Sequence, residues 1–286
     1  MTEADELYIL ARRVLLDALE ALGPHRNAIV LVGAQAVYLR VGEADLAVAA
    51  FTTDGDLAID PTLLASIPPL EKALMDAGFI PKTKDSVGVW ITKRPTSKSA
   101  DTEVAVDLLV PESVSPGEGR RAARLPGHDD RAARIVKGLD GAVVDVEELR
   151  LAALDSDDKR TFDVRVAGPA ALLVAKVHKI KDRHGTGRQS DKDALDVLRI
   201  LRGTTTVDLA QRYKKLLKDD RSAAAAKAGL ALLAEQFAAG DSIGVEMAIR
   251  SAGALANPNE IAASCEALVA DLFAALNPDD GGQPAT

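Results

Sequence analysis

Two carboxylates stand two positions apart, Asp54 and Asp56, in the stretch FTTDGDLAID at residues 51–60. On a strand, side chains at i and i+2 share a face, so the two charges lie side by side. Carboxylates that close resist simultaneous ionisation unless a cation sits between them. A third acid, Asp107, interrupts the otherwise apolar run EVAVDLLVP at 103–111, where an unpaired charge would cost several kcal/mol. If the two strands are neighbours, the three acids converge. All-oxygen ligation of this kind suits Mg²⁺ or Mn²⁺, with substrate phosphates completing the octahedron. The chemistry implied is phosphoryl or nucleotidyl transfer. Two other readings compete. A calcium loop fails, because Ala58 and Ile59 occupy places where an EF-hand needs an oxygen ligand and a glycine. A solvated Asp-Gly turn stays open, and adjacency of the Asp107 strand is what decides against it.

Phosphate-binding features accompany the acids. In LVGAQAV a strand ends at Gly33 and a helix follows through Ala34, which presents free N–H groups and the positive end of a helix dipole. A tight turn without a ligand would look the same, and neither the GxGxxG nor the GxxxxGK[ST] pattern is present. Farther on, KVHKIKDRHGTGRQSDKD carries Lys176, Lys179, Lys181, Arg183, Arg188 and Lys192. On a helix Lys176, Lys179 and Arg183 share one face, either solvated or set to clamp a triphosphate. Apolar neighbours bury the Lys176 stem. Asp193 and Asp196, one turn apart on the next helix, can orient these cations or meet the nucleotide; Asp193 also suits a helix N-terminus. Thr52 and Thr53 are hydroxyls beside the acids where modification would switch the site off by repulsion.

The elements that must position these groups follow from the pattern. The chain has 286 residues, 47 % apolar and only 3 % aromatic, so alanine, valine and leucine form the core. Its 35 basic and 43 acidic residues give a net charge of −8, which excludes a general nucleic-acid coat protein but permits a local basic groove. The single cysteine, Cys265, allows no intrachain disulfide. The start, MTEADELYIL, does not read as a signal peptide, and no run reaches the roughly 18 apolar residues of a membrane helix. The expectation is a cytoplasmic protein. Periodicity predicts a helix over 3–22, a strand over 29–32, a helix from Gly33, a helix over 61–78, and strands over 87–93 and 103–111. Residues 117–138 read as an arginine-rich loop with a short helical piece. Strands follow up to Gly168, then helices with Pro169 at a start, Ser190 as an N-cap and Gly203 past an end. The fold class is α+β: a mixed sheet lobe over 1–166, a helical lobe over 167–276, and a flexible tail at 277–286.

In this order the components resemble the polymerase-β-like nucleotidyltransferase superfamily: a Gly-Ala turn after a strand, a D-x-D about twenty residues on, then an acid on a later strand. GPAALLVAKVHKIKDR followed by DKDALDV is similar to the AbiEii and MenT toxins, the nucleotidyltransferase halves of bacterial toxin–antitoxin pairs. The resemblance covers roughly 29–202. It implies that Gly33 and Ala34 hold phosphates and that Asp54 and Asp56, with Asp107, bind the metal. It places Lys176, Lys179, Arg183 and Asp196 around the nucleotide, with Lys176 on the triphosphate, and Asp193 in the acid position of an Arg-Asp element whose arginine is here Lys192. Ala34 stands where serine is often found. Asp107 takes its role, metal ligand or general base, from its strand context. The resemblance implies an NTP substrate, a tRNA 3′ end as acceptor and a cognate antitoxin. A second basic stretch, with Arg120, Arg121, Arg124, Arg131, Arg134 and Lys137, permits an RNA partner through phosphate contacts or is a solvated loop. Tyr38, Trp90 and Tyr213 are the main aromatics for stacking on bases, and Trp90 suits the core. A small-molecule acceptor, or an inactive nucleotide- or partner-binding module, are the alternatives.

Overall fold

A computed structural model describes residues 2–42, 44, 46, 51–115, 121–187, 190–254 and 256–277. Arg120, Arg188 and the tail from 278 onward lie outside the described residues. The chain opens with α1 (Glu3–Ala21), capped by Thr2 and Asp5 in a reciprocal capping box that satisfies two otherwise unpaired N–H groups. Four consecutive buried residues, Ile29–Val32, form β1. Gly33 ends it and starts α2 (Gly33–Val41).

β2 (Asp54–Ile59) runs antiparallel to β1, with Val32 opposite Asp56. After α3 (Leu70–Asp76) come β3 (Ile80–Pro81), β4 (Val89–Arg94), β5 (Thr102–Pro111), β6 (Arg134–Val136), β7 (Val146–Ala152) and β8 (Thr161–Ala167). They form one mixed sheet in the order β3-β4-β5-β2-β1-β8-β7. β6 joins β5 in parallel from Leu109 onward, where the antiparallel pairing with β4 has ended at Asp107. The last strand ends at Ala167, and every later regular element is a helix: α4 (Pro169–Arg183), α5 (Asp191–Gly203), α6 (Thr206–Lys218), α7 (Ala223–Phe237), α8 (Ile243–Ala252) and α9 (Pro258–Leu276). One apolar core runs through strands and helices alike, from Val14 and Leu57 to Leu173, Tyr213 and Leu272.

Three expectations need correction. The helix expected over 61–78 forms only over 70–76, because Pro68 and Pro69 push the residues before them out of the helical region. The loop at 121–138 holds no helical piece among its described residues but supplies β6, whose Arg-Ile-Val run pairs with β5. Gly203 is the last residue of α5 rather than the first beyond it. A Cβ at that position would collide with Val41, so this glycine permits close approach of α5 to α2.

Candidate active site

β2 and β5 are parallel neighbours, with Asp54 opposite Ala105 and Asp56 opposite Asp107. Alternation along the strands therefore turns all three carboxylates to one face. Gly55, between the first two, points the other way, where an added Cβ would stand 3.1 Å from Leu15 of α1. The Asp-Gly-Asp spacing thus has two causes: acids towards the open face, and a missing side chain where α1 packs.

The open face forms one wall of a cleft of about 1250 Å³ lined by Asp54, Asp56 and Asp107. The opposite wall is the α4 face that carries Lys176, Lys179 and Arg183, and Arg134 of β6 and Lys137 just beyond it complete the lining. Gly33 stands at the foot of the acid wall with φ +70°, and a Cβ there would fall on the Asp56 carboxylate. The glycine is required twice, for a left-handed turn and for room. Ala34 is buried and outside the cleft lining.

Asp54 accepts a 2.6 Å hydrogen bond from the Thr52 hydroxyl. Thr52 is buried against this acid, whereas Thr53 is exposed. Burial and the neighbouring Asp54 charge push the Asp56 carboxyl up to about 6, partly offset by Lys179 and Arg134. The pair thus carries an unmet demand for positive charge. Asp107 meets its own demand differently, in a 2.6 Å ion pair with Arg134 in which both side chains are 15 % exposed. Among the described residues no three His, Cys, Asp or Glu side chains are grouped closely enough to enclose a metal. The three acids share one face as expected, Asp54 and Asp56 as a pair and Asp107 in its ion pair with Arg134 beside them. Two carboxylates and open space for phosphates fit Mg²⁺, which is usually held by one or two carboxylates plus substrate oxygens.

On the facing wall the expected roles separate. Lys176 is only 3 % exposed. Its Nζ donates to Asp193 Oδ1 at 2.8 Å and to Asp196 Oδ2 at 2.7 Å. Burial alone would lower this ammonium, but the two carboxylates reverse that and hold it raised. Asp193 gathers Lys179 Nζ at 3.0 Å and Arg183 at 3.7 Å as well. Burial would raise it, and Lys176 and Lys179 bring it well below the ordinary carboxylate range. Asp196 is fully buried, with Arg199 at 3.5 Å on its other oxygen, and contributes nothing to the cleft surface. Lys179 and Arg183, each about one-third exposed, are the cations with surface to offer a phosphate. Lys176 works underneath them as the centre of a buried network. In the sequence Arg134 is one cation of a diffuse basic stretch; its position in the β-branched run of β6 is the signal for its place beside β5.

A nucleotidyltransferase family model matches residues 12–227. The chain belongs to this family. The match spans the acid wall, the Gly33 turn and the basic wall. Among solved structures, the nucleotidyltransferase is similar to an antigenic nucleotidyltransferase-like protein from Paracoccidioides brasiliensis. The two are 17 % identical, with 79 % of this chain and 94 % of that one covered and a TM-score of 0.40. No curated protein matches the chain. No helix among the described residues is long and apolar enough to cross a membrane.

Proposed function

We propose that this nucleotidyltransferase moves a nucleoside monophosphate from an NTP to an acceptor hydroxyl, with Mg²⁺ or Mn²⁺ held by Asp54 and Asp56. The observation that carries the reading is a single cleft lined by Asp54, Asp56 and Asp107 together with Lys179 and Arg183. The bound metal would neutralise charge on the reacting phosphate. Lys179 and Arg183 bind the β- and γ-phosphates and stabilise the pyrophosphate as it leaves with its bonding electron pair. The acceptor oxygen bonds to the α-phosphorus, the bond from that phosphorus to the bridging oxygen breaks, and the acceptor proton passes to Asp107. One oxygen of Asp107 is already engaged by Arg134, which fixes the direction of the other. Lys176 and Asp193 hold the phosphate-binding side chains in place.

The acceptor in this reading is an RNA end such as the tRNA 3′ terminus, entering past Arg121, Arg134 and Lys137, and the biological role is that of an AbiEii/MenT-like toxin restrained by a cognate antitoxin in the cytoplasm. Support comes from the ordered motifs and from the basic rim of the cleft. The test is incubation of the protein with total tRNA, Mg²⁺ and each α-³²P NTP in turn, beside an Asp56→Ala variant. Label on tRNA with the wild type alone is the expected result. Label on protein would redirect the acceptor assignment, and NTP binding without transfer to any macromolecule would favour a small-molecule acceptor. Absence of NTP binding would overturn the catalytic reading.

A further inference from the structure

The backbone that carries Asp54 is held at two points by one turn of α2. Gln35 Nε2 donates to the Asp54 carbonyl at 2.9 Å, and Tyr38 Oη donates to the Phe51 carbonyl at 2.9 Å. Gln35 and Tyr38 are three apart and share a helix face, and the carbonyls they grip are also three residues apart. The helix turn therefore spans the segment that leads into the acid pair. Neither side chain lines the cleft.

Both grips are themselves supported from behind. Arg12 of α1 is 4 % exposed and donates to Gln35 Oε1 at 2.7 Å, to the Ala152 carbonyl at 2.8 Å and to the Tyr8 hydroxyl at 3.4 Å. Each of these partners is uncharged. A guanidinium only donates, so it obliges Gln35 to turn its oxygen towards α1 and its amide N–H₂ towards Asp54. Tyr38 is fixed by an edge contact with Tyr8, ring centroids 5.8 Å apart, and by the Arg199 guanidinium 5.1 Å from its ring centre. Tyr8 and Arg12 are one turn apart on α1, as their partners are on α2, so two helices meet through two matched pairs. From α5, Lys192 lies 5.1 Å over the Phe51 ring.

We infer that Gln35 and Tyr38, braced by Arg12 and Tyr8, are positioning residues that set the placement of Asp54 and with it the metal affinity of the acid pair. The inference rests on the proposed function only for the metal; the clamp on residues 51–54 is independent of it. A buried arginine with neutral partners is costly to keep, and fixing the orientation of one amide is the use this geometry gives it.

Gln35→Glu is the discriminating variant. It keeps the size and the acceptor for Arg12, which holds it ionised, and removes the side-chain donor to the Asp54 carbonyl. Tyr38→Phe removes the other donor and keeps the ring contacts. Two measurements are made on the full chain without nucleotide: Mn²⁺ binding by EPR, with Asp54→Asn as the control for site occupancy, and amide hydrogen exchange over residues 51–60. The expected result for Gln35→Glu is Mn²⁺ affinity lowered about 10- to 100-fold, the range for outer-shell partners of metal sites, with faster exchange confined to 51–60. Tyr38→Phe should show the same pattern to a smaller degree. Wild-type Mn²⁺ affinity and wild-type exchange in both variants would overturn the clamp. If wild type shows no Asp54-dependent Mn²⁺ site, the metal assignment under the proposed function fails, and the exchange data alone decide the clamp. If Gln35→Glu does not fold, Tyr38→Phe and Arg12→Lys carry the same two readouts.

Discussion

Asp56 concentrates the electrostatics of the cleft in one side chain. Its carboxyl is raised from the ordinary 3.8 to about 6 by burial and by Asp54. An acid whose pKa is higher in the folded state favours the fold at low pH and withdraws that support as pH rises through this interval. The metal-free wild type should therefore lose on the order of 2 kcal/mol relative to Asp56→Asn between pH 4 and pH 7. Urea midpoints of the two proteins across that range check it. Divalent cation should close the gap above pH 6 and leave it below, because only the ionised pair binds metal, while Asp56→Asn should lose a hundredfold or more in transfer rate, on the order of what a key electrostatic group supplies. The facing wall yields a second prediction. Lys176→Met removes the buried ammonium shared by Asp193 and Asp196 and leaves them only the longer contacts to Lys179, Arg183 and Arg199, and should destabilise the protein by about 3 kcal/mol. Lys179→Ala and Arg183→Ala should leave thermal stability nearly unchanged and raise KM for NTP, read by steady-state kinetics. A reversal, with Lys176→Met stable but weak in NTP binding, would return Lys176 to the triphosphate. The spacing of Asp54 and Asp56 and the buried stem of Lys176 were legible from local pattern alone. The partner of Asp107 was not, because Arg134 lies 27 residues away and nothing in a composition-rich arginine stretch singles it out.

Strands and helices were easier to read than their ends. β1, β2 and β5 announce themselves through short apolar runs, and α4 through Pro169 at its first turn. The errors fall where a local signal had a long-range cause. Gly203 looks like a helix terminator and is the last residue of α5, but its missing side chain also answers to Val41 of α2, which occupies the space a Cβ would need. Gly203→Leu should therefore push α5 from α2 at a cost of about 1 to 3 kcal/mol, as overpacking does, measured by the shift in chemical denaturation midpoint. A terminator role would make the substitution nearly neutral. β6 escaped because three residues paired at the end of β5 give too short a pattern for periodicity to register. The Pro68-Pro69 pair, in contrast, is a visible breaker that bars the residues before it from the helix, whatever the apolar spacing around it.

Across the whole molecule, sheet and helices share a single core, and the ties between them are charged as well as apolar. Arg212 of α6 reaches both Asp145, which accepts from the first N–H groups of α4, and Glu147 of β7. Such a body should unfold in one transition: near-UV signal from Trp90 in the sheet and far-UV signal from the helices should melt together in the same scan. Separate transitions would mean that the sheet and the helices after Ala167 fold independently. The mixed order of the sheet was not recoverable from sequence, since strand adjacency depends on pairings such as Val30 with Arg165 and Leu57 with Leu108, which leave no local mark. Those parallel pairings also set a timetable for biosynthesis. β1 gains its second neighbour only when β8 has been made, and the basic wall acquires its carboxylate supports only when α5 has followed. Synthesis runs from the amino terminus, so a nascent copy on the ribosome contains the acid pair long before it contains the residues of the proposed phosphate clamp. Under the proposed function, the translating polypeptide would lack a supported phosphate clamp until some two-thirds of it has been synthesised, a built-in delay between expression and activity.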